Sequence, residues 1–288
     1  MNNKMRVNER TRDIGNFLVG RLLPAAKKRQ VGPFTFIDHM GPSQMGPQKL
    51  MGVDQHPHIG LSTLTYLFEG EIEHRDSTGA VQRIGPGDVG FMTAGKGVTH
   101  TERSPKDWFD GKVRTMHGYQ IWVAMPIDKE EIEPNFQFVP KSDVPVIELE
   151  GLTMKVAAGE AFGLQSPLNV YSDMFMVDVF SEEQNTLDLF DQVKGEIAIV
   201  VATGSVIDGE DVIEAGQMLI SKMEDECTLE LAANTQLLLF GGQPLPEERF
   251  LHWNFVSHSK ERLEKAKDDW VNKRFPKVPG DDTYIPLP

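Results

Sequence analysis

A single cysteine, Cys227, in 288 residues excludes an intramolecular disulfide. It falls in the alternating run Glu-Cys-Thr-Leu-Glu-Leu, where a structural thiol is the expectation. Long apolar runs are missing too. No segment approaches the roughly 20 residues that a membrane-spanning helix needs, and the first twenty residues hold no apolar core followed by a small-residue cleavage site. A reducing, cytoplasmic location is therefore expected. Positive charge is scarce: 29 Lys and Arg stand against 43 Asp and Glu, a formal net charge of −14. A surface this acidic repels a phosphate backbone, so direct nucleic-acid binding is not expected. The densest basic cluster, Lys27-Lys28-Arg29, reads as a solvated segment. Also absent are a glycine-rich phosphate loop, a dinucleotide fingerprint and a local Ser-His-Asp signature.

What is present is a succession of short β-branched and aromatic runs separated by Gly, Pro, Asn or Asp. Thr63 to Phe68, Val89 to Thr93 and Tyr119 to Ala124 are examples in the first half. Met174 to Phe180, Ile197 to Ala202, Gln217 to Ser221 and Gln236 to Phe240 continue the pattern. Such spacing predicts an all-β sandwich or barrel.

A weak internal repeat refines this. Leu67-Phe-Glu-Gly-Glu-Ile and Ile84-Gly-Pro-Gly-Asp-Val share their turn grammar with Val201-Ala-Thr-Gly-Ser-Val and Ile213-Glu-Ala-Gly-Gln-Met, so Gly70 matches Gly204 and Gly87 matches Gly216. Two tandem β-barrels are expected, one over residues 1–130 and one over 131–288. The join is placed where Pro126, Pro134, Pro140 and Pro145 interrupt regular structure. Only the C-terminus reads as helical: Ser259 can cap a helix at about 260–275, with Leu263, Ala266 and Trp270 on one stripe.

Two motifs carry chemistry. Gly52-Val-Asp-Gln-His56-Pro-His58 leads into an apolar strand, and Gly95-Lys-Gly97-Val-Thr-His100-Thr-Glu102 follows another. Residues i and i+2 of a strand point to one face. His56 with His58, and His100 with Glu102, therefore project in pairs, and neighbouring strands would bring all four together. Three imidazoles and a carboxylate suit a divalent transition metal, leaving two of six octahedral positions open. The remaining histidines read as structural: His39 in a turn, His74 at a hairpin, and His117 as a residue that could line the cavity. Glu71/Glu73 and Glu130/Glu131 read as solvent-facing pairs. Residues 193–240 contain no histidine, so the second barrel is expected to hold no metal.

These motifs resemble the two cupin signatures, and the strings HPHIGLSTLTYLFEGEIEHRDSTG, MTAGKGVTHTE, HGYQIWVAMP and GGQPLPE resemble the pirin family. The resemblance implies two tandem jelly-roll cupin barrels whose N-terminal barrel holds one metal through His56, His58, His100 and Glu102. Iron(II) is the metal it implies, with Mn, Ni, Cu or Zn able to compete for the same donors. It also implies a metal-dependent dioxygenase acting on a small aromatic substrate, a flavonol such as quercetin, with Glu102 as general base. The alternative is a non-catalytic, redox-sensitive regulator that binds a transcription factor or metabolic enzyme, and a monomer is compatible with both. Ser62 departs from the pattern, standing where similar sequences would place Glu.

Overall fold

A computed structural model describes residues 4–14, 17–47, 49–221 and 228–288; Cys227 lies outside them. The chain divides into two compact units, both built of antiparallel strands. One comprises Met1–Arg10, Gly20–Phe36 and Ser142–Leu245; the other comprises Thr11–Val19, Ile37–Lys141 and Pro246–Pro288. A single cut near residue 130 does not reproduce this division. Met5–Asn8 pairs with Gln217–Ser221 and so joins the unit of the second half. The C-terminal helix, expected to close that unit, belongs to the other one: its Leu263, Ala266 and Trp270 pack with Ile59 and Phe255. The stripe of apolar residues defines the helix, but only tertiary burial decides which barrel it covers.

The unit centred on Ile37–Lys141 contains most of Phe34–Met45 (β1), then Gly52–His58 (β2), Leu61–Glu69 (β3), Ile72–Asp76 (β4), Val81–Ile84 (β5), Val89–Thr93 (β6), Val98–Arg103 (β7), Arg114–Ala124 (β8) and Asn135–Val139 (β9). One sheet runs β9-β6-β3-β8-β1 and the other β2-β7-β4-β5. Every predicted run of the first half lies within one of these strands. The motif ends are tied by backbone: Gly60, just after His58, donates its N–H to the Gly95 carbonyl at 2.9 Å. Gly95 sits at φ +50°, and a Cβ there would lie 2.0 Å from the Ile132 carbonyl oxygen, so only glycine fits the turn that launches β7.

Pro246–Pro288 braces this barrel. It contains Phe250–His252 (β20), Phe255–Ser257 (β21) and a helix Lys260–Val271 (α1), capped by Ser259 Oγ, which accepts from the Arg262 N–H.

The other unit holds Val146–Leu149 (β10), Leu152–Ala161 (β11), Met174–Ser181 (β12), Asn185–Asp188 (β13), Glu196–Thr203 (β14), Ser205–Asp208 (β15), Asp211–Glu214 (β16), Gln217–Ser221 (β17), Thr228–Leu231 (β18) and Thr235–Gly242 (β19). Its sheets run β17-β14-β19-β12-β11-β10 and β13-β18-β15-β16. The repeat is visible in the turns: Gly70 and Gly204 take φ +86° and +75°, and Gly87 and Gly216 both take +79°.

Candidate metal centre

Strand β7 lies between β2 and β4. His100 stands opposite His56 on β2 and opposite Asp76 on β4, and Glu102 stands opposite His74. Directly opposed residues of antiparallel strands share a face, as do residues two apart. His56, His58, His74, Asp76, His100 and Glu102 therefore all project inward, and none is more than 7% exposed. The β2–β7 register shifts between His100 and Glu102, where three steps of β2 (Val53 to His56) oppose two steps of β7. Such a bulge re-aims side chains.

Each imidazole is held by its back nitrogen. His56 Nδ1–H donates to the Asp54 carbonyl at 2.8 Å, and His58 Nδ1–H donates to the Asn254 carbonyl at 3.1 Å. A carbonyl only accepts, so both rings carry their proton on Nδ1 and leave Nε2 bare. The bare Nε2 of His58 faces His100 Nε2 at 3.1 Å. Metal–imidazole bonds of about 2.0–2.1 Å set adjacent nitrogens on one ion about 3 Å apart, so this spacing fits a shared cation. The donor atoms of His56, His58 and His100 lie within 4.8 Å of one another, and so do those of His74, His100 and Glu102. His100 belongs to both triplets.

Electrostatics agree with this use. Burial lowers the His56 pKa to about 4, against the backbone contact to Asp54, which raises it. Burial and the adjoining imidazoles hold His58 and His100 well below the ordinary histidine value. All three rings are neutral donors at pH 7. Burial raises Glu102 to about 7 against the opposing Thr65 hydroxyl, so its carboxylate lacks a compensating cation.

The four residues expected from the motifs thus share one interior face, grouped through His100. Others read differently in the sequence. His74 does lie in the β4–β5 hairpin, opposite Gln82, but it is buried there: its Nε2 lies 3.1 Å from Asp76 Oδ2 and its Nδ1 lies 3.4 Å from His100 Nδ1. The signal was available, because His74-x-Asp76 repeats the i, i+2 spacing of the motif pairs, but charged neighbours on both sides masked it. His39 is no turn residue; it is buried in β1, with its Nε2 2.9 Å from His117 Nε2 and its ring stacked on Tyr119. Glu130 is buried rather than solvent-facing, accepting from Arg249, Ser257 and His258. Those partners lie more than a hundred residues away, beyond any local pattern. Ser62 is buried, its hydroxyl 3.2 Å from Thr93 Oγ1.

The family model Pirin matches residues 16–123, and the model Pirin C-terminal cupin domain matches residues 176–276. A pirin-like protein of Caulobacter vibrioides is 45% identical over 97% of both chains. A crystal structure of quercetin 2,3-dioxygenase from Acinetobacter baumannii superposes with a TM-score of 0.91 at 31% identity, covering 99% of this chain and 95% of that one. A second quercetin 2,3-dioxygenase structure from the same organism gives 0.87 at 26% identity over 95% and 98%.

Proposed function

This chain belongs to the pirin family, with a cupin domain in each half, and on that premise we propose that it is a metal-dependent dioxygenase acting on a flavonol such as quercetin. One observation carries the reading: the bare Nε2 of His58 faces His100 Nε2 at metal-sharing distance, inside a barrel that resembles a quercetin 2,3-dioxygenase over nearly its whole length. His56, His58, His100 and Glu102 would hold the metal, with iron(II) the proposed ion and Mn, Ni, Cu or Zn suited to the same donors. When bound, the metal would supply an electrophilic centre for activating the flavonol toward O₂.

The chain's own residues do the rest. The inward face of β2 and β7 is buried, which keeps bulk water from the donors. Trp122 packs edge-on against His58 with ring centroids 5.1 Å apart, giving the site an aromatic wall suited to a flat ring system. Glu102, buried on the same inward face, would accept the flavonol hydroxyl proton on a carboxylate oxygen. The Thr65 hydroxyl lies beside that carboxylate, 2.9 Å from Gln120 Oε1 and 3.5 Å from Glu102 Oε1.

The test is to load the purified protein anaerobically with iron(II), manganese(II), nickel(II) or copper(II) and mix it with quercetin in air. Loss of the flavonol absorbance with one O₂ consumed per molecule, abolished in Glu102→Gln, is the expected result. No turnover with any metal would overturn it. A redox-dependent change in binding to a protein partner would then favour the regulator reading, which the net charge of −14 supports for a basic partner surface.

A further inference from the structure

Two of the three clustered imidazoles have their Nδ1 proton fixed by a backbone carbonyl; the third does not. His100 Nδ1 faces a side chain, the Nδ1 of His74 at 3.4 Å. His74 in turn directs Nε2 at the Asp76 carboxylate, 3.1 Å away, and stacks on Phe136 with centroids 4.4 Å apart. Asp76 is locked in place, its Oδ1 accepting from Thr78 N–H at 2.8 Å, Thr78 Oγ1–H at 2.6 Å and Ala80 N–H at 3.2 Å. His74 and Asp76 are buried, at 1% and 0% exposure.

Proton bookkeeping along this chain has one consistent solution for a metal-binding His100. A carboxylate only accepts, so His74 carries its proton on Nε2 and presents a bare Nδ1. That nitrogen accepts from His100 Nδ1–H, which leaves His100 Nε2 free on the side of His58. We propose that Asp76 and His74 are positioning residues that fix His100 as a ligand through Nε2, an outer carboxylate–imidazole pair acting on one ligand only. The proposal rests on the metal-centre reading above. Its consequence is an asymmetric site. His56 and His58 lean on neutral dipoles, whereas His100 leans on a relay ending in a negative charge, which makes it the strongest donor of the three.

Asp76→Asn discriminates well. The three donors of Thr78 and Ala80 would keep the amide oxygen, turning the NH₂ toward His74. His74 must then accept at Nε2 and move its proton to Nδ1, where it meets the His100 Nδ1–H head-on. Nitrogen-15 NMR of the metal-free wild type should show His74 protonated on Nε2, switching to Nδ1 in Asp76→Asn. Cobalt(II) affinity, measured by chelator competition, should fall about 10–100-fold in Asp76→Asn and in His74→Leu. His74→Gln, whose amide oxygen can still accept from His100 Nδ1–H, should stay within a few-fold of wild type.

A wild-type His74 protonated on Nδ1 would overturn the relay. So would unchanged affinity in Asp76→Asn. An equal loss in His74→Gln and His74→Leu would make His74 a ligand instead and overturn it as well. Wild type that binds no cobalt(II) would sink the metal-centre reading, while the NMR tautomer still decides the Asp76–His74 half on its own.

Discussion

Each barrel contains a four-stranded sheet built in one order: β2-β7-β4-β5 in the first and β13-β18-β15-β16 in the second. At the crossing of the middle strands the first places His56 opposite His100 and His100 opposite Asp76. The second places Leu187 opposite Leu229 and Val206 opposite Leu231, all four buried in one continuous apolar cluster with Val156, Phe175 and Leu239. The backbone plan is shared and the interior is not. A barrel lined with Leu, Ile and Val closes by packing; one lined with imidazoles and carboxylates cannot, because each buried polar group needs a partner. The fold therefore supplies positions, and six side chains decide whether those positions become a core or a centre.

The largest test of that contrast removes the central ligand. His100→Ala should cost more than about a hundredfold in metal affinity, beyond the effect of a merely supporting residue, and elemental analysis should find no stoichiometric metal in a protein whose circular dichroism is unchanged. His56→Ala should do the same. Full occupancy in both variants would remove β2 and β7 from the site.

In the second barrel the matching truncation acts on stability and leaves the metal alone. Leu231 is fully buried in the apolar cluster, so Leu231→Ala should lower unfolding free energy by about 2–5 kcal/mol. Denaturant melts of metal-free protein would measure this, and metal stoichiometry should remain that of wild type. A change in stoichiometry would mean that the second barrel is coupled to the site.

The contrast is partly legible in the sequence. Regular spacing of short strands and the paired glycines predict two barrels, and the absence of histidine in 193–240 points to the first of them for the chemistry. His56, His58, His100 and Glu102 were readable because strand alternation converts i, i+2 spacing into a shared face. His74 and Asp76 obey the same rule, but their partnership with His100 is not legible in the sequence, since only the register places β4 beside β7. The C-terminal segment was misplaced for a related reason. Its amphipathic pattern says that it packs, and only long-range contacts say on what.

That segment also shows what a polar interior demands from outside. Gln55, one residue before His56 and 3% exposed, donates through Nε2 to the carbonyls of Asp281 at 3.1 Å and Thr283 at 3.0 Å. Its Oε1 accepts from the Val278 N–H at 2.8 Å. Arg103, next to Glu102, pairs with Asp281 at 2.6 Å. Gln55→Ala would leave the buried Val278 N–H and two carbonyls unpaired and should cost about 1–3 kcal/mol. Thermal melts of wild type and variant would detect it; identical midpoints would show that the tail does not brace the ligand strand.

The smallest effect is set by pH and separates the carboxylate from the imidazoles. Metal competes with protons for its donors. Glu102 has its pKa raised to about 7 by burial in the metal-free protein, whereas His56 is lowered to about 4. Below pH 7 binding must therefore displace a proton from Glu102 but not from His56, so affinity should rise about tenfold per pH unit, equivalent to 1.36 kcal/mol, up to about pH 7 and level off above it. In metal-free protein the sign reverses. A raised carboxyl pKa adds stability that is fully present below the ordinary value of 4.5 and is lost as pH rises through 7. Chelator competition between pH 5.5 and 8 would trace the first slope, and Glu102→Gln should flatten it. A slope that persists in Glu102→Gln would place the titrating proton on a histidine, and the carboxylate would cease to be the group that sets this centre apart from the apolar barrel beside it in sequence.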